Sequence, residues 1–230
     1  MLRSKLLPLA EASALDKASM RTLTKIFVLL TMPMSAKAST ALTTYNGPEA
    51  QRLRKKDGLA KMSKGKLKLR MAAIQQAKLL VDCRAAFAER PRVLGSLLRL
   101  FDGLHKSKER RSDVEAIDVE LALTLIRNLV HPIPSCGDDY EDAKASAGLD
   151  ALTAGLGDEL ALDVLCDLCS GTHQRENQPW NLLLAEVLGP LVLQHKPGDV
   201  AAVEFVDAKK RRSALKKREA EENLCTAILY

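Results

Sequence analysis

Two cysteines and a histidine come closest to the spacing of a metal site. Cys166 and Cys169 are separated by two residues, and His173 follows them; thiolates and imidazoles are the ligands that zinc prefers. The sequence lacks a second pair at zinc-finger spacing, and Cys136 is the one other sulfur nearby. Because both cysteines stand in a leucine-rich helical pattern, where cysteine packs as a small hydrophobe, we predict no metal site.

Catalytic groupings are also missing from the sequence. His131 ends a predicted helix before Pro132 and Pro134, where an imidazole interacts with the last carbonyls and with the helix dipole. We find no local signature of a nucleophile with its base, no phosphate-binding loop, no GxGxxG and no EF-hand spacing. The sequence therefore predicts no catalytic residue, no cofactor and no enzyme activity.

The best functional candidate is a basic stretch. Residues 52–70 hold nine basic residues and one acid, Asp57. Lysine and arginine neutralise phosphates and release counterions, which gives binding without sequence readout. No aromatic residues alternate with them, so contact with a duplex backbone is favoured over stacking on single strands; a nuclear import signal is the alternative. The predicted DNA-binding residues are Arg52, Arg54, Lys55, Lys56, Lys61, Lys64, Lys66, Lys68 and Arg70.

Charge is divided unevenly along the chain. Residues 1–112 hold 24 basic and 8 acidic residues, residues 113–205 hold 4 basic and 17 acidic, and residues 206–230 hold 7 basic and 4 acidic. Such an asymmetry indicates a polyanionic partner, or electrostatic packing of one half on the other. Two separate solvated faces remain a third interpretation.

Composition favours helices in a reducing compartment. The 230 residues are 47% apolar but only 3% aromatic, with leucine and alanine prominent, a choice that favours helices over strands. Five cysteines without a secretory signal are typical of free thiols inside the cell. No apolar run reaches the ~20 residues needed to cross a bilayer, so we expect a soluble protein without a membrane partner.

Periodicity predicts an all-α fold. Helices are expected over 15–31, 66–90, 113–131, 149–170 and 177–194, with a further one from Pro91. Gly155 and Gly157 indicate a break, and Ser112 with Glu115 fits a capping box. The element lengths favour a HEAT- or armadillo-like α-solenoid of antiparallel helix pairs, with an irregular helical bundle as the alternative. One domain is predicted over 1–205, with a basic loop at 35–66, an acidic linker at 132–148 and a charged helical tail at 206–230.

Three segments, in the expected order, resemble the N-terminal helical domain of the Timeless family. RTLTKIFVLLTMPM at residues 21–34 is similar to its leucine-rich helix ending in a Leu-Thr-x-Pro turn, and QPWNLLLAEVLGPLVLQHKPGDVA at 178–201 to its tryptophan-containing helix. ELALTLIRNLVHPIP at 120–134 is the most specific match, although Pro132 interrupts the family's usual His-Ile-Pro. Because family members are longer, this chain would be only part of one, or a shortened or divergent form.

The resemblance implies a nuclear, non-enzymatic scaffold of the replication fork protection complex. It implies pairing with a Tipin-like small subunit, travel with the replicative helicase, a grip on double-stranded DNA and support of the replication checkpoint. Arg127 and Asn128, inside the most specific match, are expected to stabilise helix packing or a turn and not to form a ligand site. A nuclear protein–protein adaptor without DNA binding is the alternative.

Overall fold

The computed structural model describes residues 1–11, 16–46, 64–101, 111–135, 139–159, 161–171, 175 and 177–193. This part of the chain is all-helical, as predicted, and it contains no strand. A π-helical turn at Leu2–Leu6 leads into the first α-helix, and a 3-10 turn at Gln178–Trp180 leads into the last. The α-helices are α1 (Leu7–Glu11), α2 (Lys17–Leu30), α3 (Ala36–Asn46), α4 (Lys64–Ala88), α5 (Arg92–Leu100), α6 (Asp113–Val130), α7 (Asp139–Asp158), α8 (Ala161–Ser170) and α9 (Asn181–Leu193).

Helix α6 lies at the centre of the core, between α2 and α9. Its predicted capping box is confirmed: the Ser112 side chain accepts from the Glu115 backbone, and the Glu115 carboxylate accepts from the Ser112 backbone at 2.8 Å. Nine of its residues are buried, mostly apolar ones from Val119 onward. A helix start that is fixed locally thus leads into a helix that is buried on most sides.

Helix α2 begins where the sequence predicts it. The carboxylate of Asp16 caps it by accepting from the backbone N–H of Ser19 at 2.6 Å. Phe27 on its buried side meets Phe87 of α4 edge to face, with ring centroids 5.2 Å apart, a favourable geometry for aromatic pairs. The two helices are thereby joined inside the main core.

Helix α4 packs against α3 on one side and α7 on another. A small second cluster of buried residues joins α3 to α4: Ala38 and Leu42 meet Ala73 and Ala77. Small side chains here let the two helices approach closely, which explains how the weakly apolar α3 is held.

Two predicted irregular segments are wrong over part of their length. The basic loop at 35–66 contains helix Ala36–Asn46 and the start of Lys64–Ala88. The acidic linker at 132–148 becomes helical from Asp139. The predicted break within 149–170 exists but lies slightly later than Gly155 and Gly157, because α7 continues to Asp158 and α8 begins at Ala161. The predicted tail at 206–230 lies outside the described residues.

The ends of the other predicted helices agree with the structure to within a few residues. Pro91 precedes α5 as its N-cap residue, as expected for a proline at a helix start. The N-terminal helical segment, Leu2 to Glu11, was not predicted. None of the described helices is long and apolar enough to cross a membrane.

Candidate nucleic-acid interface and its helical support

Only part of the predicted DNA-binding stretch lies in the described structure. The residues from Arg52 to Lys61 are outside it, and Lys64 and Lys66 are placed in α4 without described side chains. Lys68 is exposed, whereas Arg70 is half-buried.

The helical geometry of α4 separates these positions. One residue turns a helix by about 100°, so positions 64 and 68 lie on one side and positions 66 and 70 on the opposite side. The side of Arg70 continues into the buried Ala73 and Ala77, whereas the side of Lys68 continues into the exposed Met71. A duplex backbone approaching α4 from solvent would therefore meet Lys68 and not Arg70.

The basic half of the chain packs electrostatically on the acidic half. Arg21 of α2 forms a two-pronged ion pair with the buried Asp118 of α6, at 2.5 and 2.8 Å, and this hydrogen bonding raises the pKa of Arg21. Arg99 and Glu159 are 3.3 Å apart. Lysine and carboxylate side chains also join α4 to α7: Lys78 to Glu141 at 3.6 Å and Lys144 to Asp82 at 2.6 Å.

The pairs of Arg21, Arg99 and Lys78 with acids of residues 113–205 support the second of the three interpretations, the electrostatic packing of one half on the other. Lys144 and Asp82 pair with the opposite polarity. Arginine forks match carboxylates in planar geometry, so the pair of Arg21 and Asp118 fixes orientation as well as distance. Part of the positive charge of residues 1–112 is thus used inside the fold. The uneven distribution of charge along the sequence therefore overstates the basic surface that a polyanion would meet.

Arg84 of α4 connects three helical segments from a buried position. Its guanidinium donates to the carbonyl of Leu129 at 2.7 Å, to that of His131 at 2.6 Å and to that of Ala145 at 3.3 Å. The first two are carbonyls at the end of α6, which have no partner within their own helix. Burial lowers the pKa of Arg84 to about 10, and the three acceptors offset that cost.

Arg127 and Asn128 stabilise helix packing, as expected. The Asn128 amide donates to the carbonyl of Val28 at 3.3 Å and accepts from Arg127 at 2.9 Å. Arg127 also pairs with Glu186 of α9 at 3.3 Å. The two residues connect α6 to α2 and to α9, and their partners are protein groups.

A second arginine holds the segment that precedes α9. Arg111 donates to the Asn177 side chain at 2.7 Å and lies 5.0 Å from the centre of the Trp180 ring, within cation–π range. Asn177 in turn donates to the carbonyl of Gly171 at 3.0 Å. The start of α6 is thereby fixed to the start of α9.

The thiols and His131 are in surroundings that do not activate them. Burial is the main cause that raises the pKa of Cys83, Cys166 and Cys169, which disfavours the nucleophilic thiolate. Burial also lowers the pKa of His131. Across the described ranges no three metal-binding side chains come together; Cys136 and His173 lie outside them.

A shallow depression of about 500 Å³ lies between α1, the turn before α5 and the end of α7. Its walls carry both signs of charge, and Glu11 already pairs with Arg90 at 2.5 Å. Neighbouring Arg3 and Glu89 pair at 3.2 Å. These two ion pairs tie the N-terminal segment to the turn between α4 and α5.

The family model described as Timeless protein matches residues 1–228. The chain belongs to the Timeless family. This confirms the resemblance carried by the three segments, and the match continues through the basic stretch and almost to the last residue. A comparison with curated proteins found no match.

Timeless proteins are scaffolds and do not form a known family of enzymes. The family is associated with DNA replication. In this chain the described side chains of Arg84, Arg111 and Asn128 hold helical segments to one another. Arg21 and Arg84 bind partners within the chain.

Proposed function

We propose that this chain is a non-enzymatic scaffold of replication fork protection that contacts the phosphate backbone of duplex DNA. The observation that carries the proposal is the family match over residues 1–228. In this proposal the chain acts in the nucleus with a Tipin-like small subunit and the replicative helicase, and it supports the replication checkpoint. We also propose that its helices continue as HEAT- or armadillo-like antiparallel pairs.

The DNA contact is assigned to residues 52–70 by the distribution of charge. In the described body, Arg21, Arg99 and Lys78 face carboxylates of the acidic half, so they are less available to phosphates. The stretch 52–70 has nine basic residues and one acid, so it cannot be neutralised locally. A polyanion that contacts the chain meets its longest stretch of predominantly basic residues there.

The test compares two variants with the same change of charge. One carries glutamine at Arg52, Arg54, Lys55 and Lys56; the matched control carries glutamine at exposed basic residues outside the stretch. Each phosphate contact that is lost should make the slope of log Kobs against log salt less negative by about 0.9. The control positions are Lys5, Lys25, Lys37 and Arg175.

We expect the first variant to flatten the slope and the control to leave it near that of the unchanged chain. Equal slopes for the two variants would remove residues 52–56 from the interface. If the control flattens the slope more than the first variant does, the DNA contact lies on the helical body instead.

Helix α4 offers a finer pair of variants. Lys68→Gln should weaken duplex binding without loss of stability, because Lys68 is exposed. Arg70→Gln should affect stability more than binding, because Arg70 is half-buried on the side of the helix that carries Ala73 and Ala77. The opposite pattern would show that α4 presents its other side to DNA.

The alternative is a nuclear adaptor that binds proteins alone, with residues 52–70 serving as an import signal. It is favoured by the charges that are already paired within the body. Deleting residues 50–70 would then abolish nuclear import and leave duplex affinity unchanged. The fork scaffold predicts instead that the deletion removes most of the salt-dependent affinity.

A further inference from the structure

Cys166 and Cys169 form a pair of thiols at the C-terminal end of α8. The two positions are three residues apart in this helix, so their side chains are neighbours on its surface. Both cysteines are free. Burial, and after it the charge of Cys166, raises the pKa of Cys169, so the two sulfur atoms are close enough to interact.

The pair is open to solvent on one side. Cys166 is exposed, whereas Cys169 is half-buried and packs against the main core. The third thiol of the described ranges, Cys83, is buried and donates to the carbonyl of Leu30 at 3.9 Å. A ligand can therefore reach Cys166 and Cys169 without any opening of the fold.

The charge around the pair is negative. Asp163 and Asp167 stand beside Cys166 in α8, and after burial both of them raise the pKa of its thiol. Helix α8 contains no basic residue. The two thiols are thus placed in a local field that attracts a cation.

The last turn of α8 is held by the segment that precedes α9. The backbone N–H of Gly171 donates to the carbonyl of Leu168 at 3.2 Å, and the carbonyl of Gly171 accepts from the Asn177 side chain at 3.0 Å. A Cβ on Gly171 would lie 2.5 Å from the Asn177 side-chain nitrogen, so the two residues pack closely. The end of the helix, which carries Cys169, is therefore kept in its helical form.

Helical spacing suits a bridging ion better than a disulfide. Cβ atoms three residues apart in a helix are about 5–6 Å apart, whereas a disulfide needs about 3.5–4.5 Å. A direct bond between the sulfurs would thus require the last turn to deform. An ion between them replaces one bond of about 2.05 Å by two metal–sulfur bonds, each about 2.3 Å for zinc, and spans the gap.

The number of ligands selects the class of ion. Zinc takes four ligands in structural sites, and in the described ranges no group of three metal-binding side chains comes together. Thiolates are soft ligands that select Cu(I), a monovalent ion that two sulfurs can hold. Burial disfavours the free thiolates, but a bound metal ion deprotonates a coordinating thiol outright.

We propose that Cys166 and Cys169 bind one Cu(I) ion between their two sulfur atoms. Each thiol releases its proton as its sulfur bonds to the ion, so one Cu(I) displaces two protons and no electron is transferred. This two-ligand site differs from the four-ligand zinc site that the sequence lacks. It does not use residues 52–70, so it is independent of the proposed contact with duplex DNA.

Alkylation of the folded full chain, with and without one equivalent of Cu(I), tests the site. Trypsin afterwards places Cys166 and Cys169 together in the peptide 145–175, which holds no other cysteine, whereas Cys136 and Cys225 fall in other peptides. We expect Cu(I) to abolish labelling of both thiols in 145–175 and to leave the other two labelled as before. The proposal is overturned if the pair stays labelled, if one of its thiols alone is protected, or if the protection falls on Cys136 or Cys225.

Competition with a Cu(I) chelator measures the affinity. Cys166→Ser and Cys169→Ser should each weaken Cu(I) binding by roughly 10²–10⁴-fold, because the second thiolate binds as an intramolecular ligand. Cys166→Ser changes an exposed position and should leave the urea midpoint unchanged, which separates lost binding from lost folding. The matched control, Cys136→Ser with Cys225→Ser, should keep the affinity of the unchanged chain. Tight binding that survives Cys166→Ser, a loss in the control, or Zn(II) bound as tightly as Cu(I) would each refute a site of two thiols.

Discussion

Replacing Arg84 with methionine would remove the side chain that holds the end of α6. The guanidinium donates to the carbonyls of Leu129, His131 and Ala145, whereas methionine fills a similar volume and donates to none. The carbonyls at the end of α6 would then be buried without partners. Such groups cost free energy because water cannot replace the lost donor.

The magnitude follows from the geometry. Two of the bonds are short, at 2.7 and 2.6 Å, and the third is longer, at 3.3 Å. A hydrogen bond from a charged donor is worth about 1.5–3 kcal/mol. Removing the buried charge offsets part of this loss, because burial alone disfavours the charged guanidinium. We expect the free energy of unfolding to fall by about 3 kcal/mol.

Urea unfolding followed by tryptophan fluorescence measures this loss. Trp180 is the single tryptophan of the sequence and is only 8% exposed, so its emission reports the opening of the core. The control is Arg3→Met, which removes a half-exposed ion pair with Glu89 and should cost less than about 1 kcal/mol. A loss for Arg84→Met that equals the control would refute the role assigned to Arg84.

Two further predictions concern α7 and the end of α6. Gly155→Ala would place a Cβ 2.7 Å from the Cβ of Pro91 and should lower the free energy of unfolding, measured in urea, by about 1–3 kcal/mol. Gly157→Ala, whose new Cβ would have its nearest contact 3.8 Å away, should be neutral or stabilising. Equal losses for the two variants would contradict the steric argument. The folded-state pKa of His131 lies below its ordinary value of 6.5, so its stabilising contribution is present above pH 6.5 and is lost as the pH falls toward the folded-state pKa. The urea midpoint should therefore fall between pH 7.5 and pH 5, and His131→Gln should flatten this dependence; an unchanged slope would assign the effect to another group.

Local sequence signals were sufficient to predict a helix start that is capped by its own neighbouring residues. Ser112 and Glu115 satisfy each other's backbone groups within one turn, so the start of α6 could be predicted without tertiary structure. The acidic residues before α7 were harder to interpret. Glu141 and Asp142 read as a solvated linker, yet they stand in the first turns of a helix, where negative charge is favourable.

Elements that depend on distant partners could not be predicted. Helix α3 has little periodicity of its own, and it is held because Ala38 and Leu42 meet small residues of α4. The N-terminal helix is held by the burial of Leu7 and Ala10 in the main core. Gly155 was read as a helix break, whereas it allows α7 to approach Pro91 closely.

In the candidate interface, too, some features could be predicted from local sequence and others depended on the folded structure. Composition alone identified residues 52–70 as the longest basic stretch. It could not show that Lys68 and Arg70 lie on different sides of a helix, because that required residues 64–70 to be helical. Nor could it show that Arg21 is committed to Asp118, which is 97 residues away in sequence.

Duplex-DNA binding by the unchanged chain, measured at several salt concentrations on unrelated sequences, tests the central claim most directly. We expect the same negative slope of log Kobs against log salt for every duplex sequence, no steeper than about −8, because the nine basic residues of 52–70 at about −0.9 per phosphate set the limit. Absence of binding at low salt, or a slope that depends on the sequence of the duplex, would contradict a scaffold that contacts the DNA backbone.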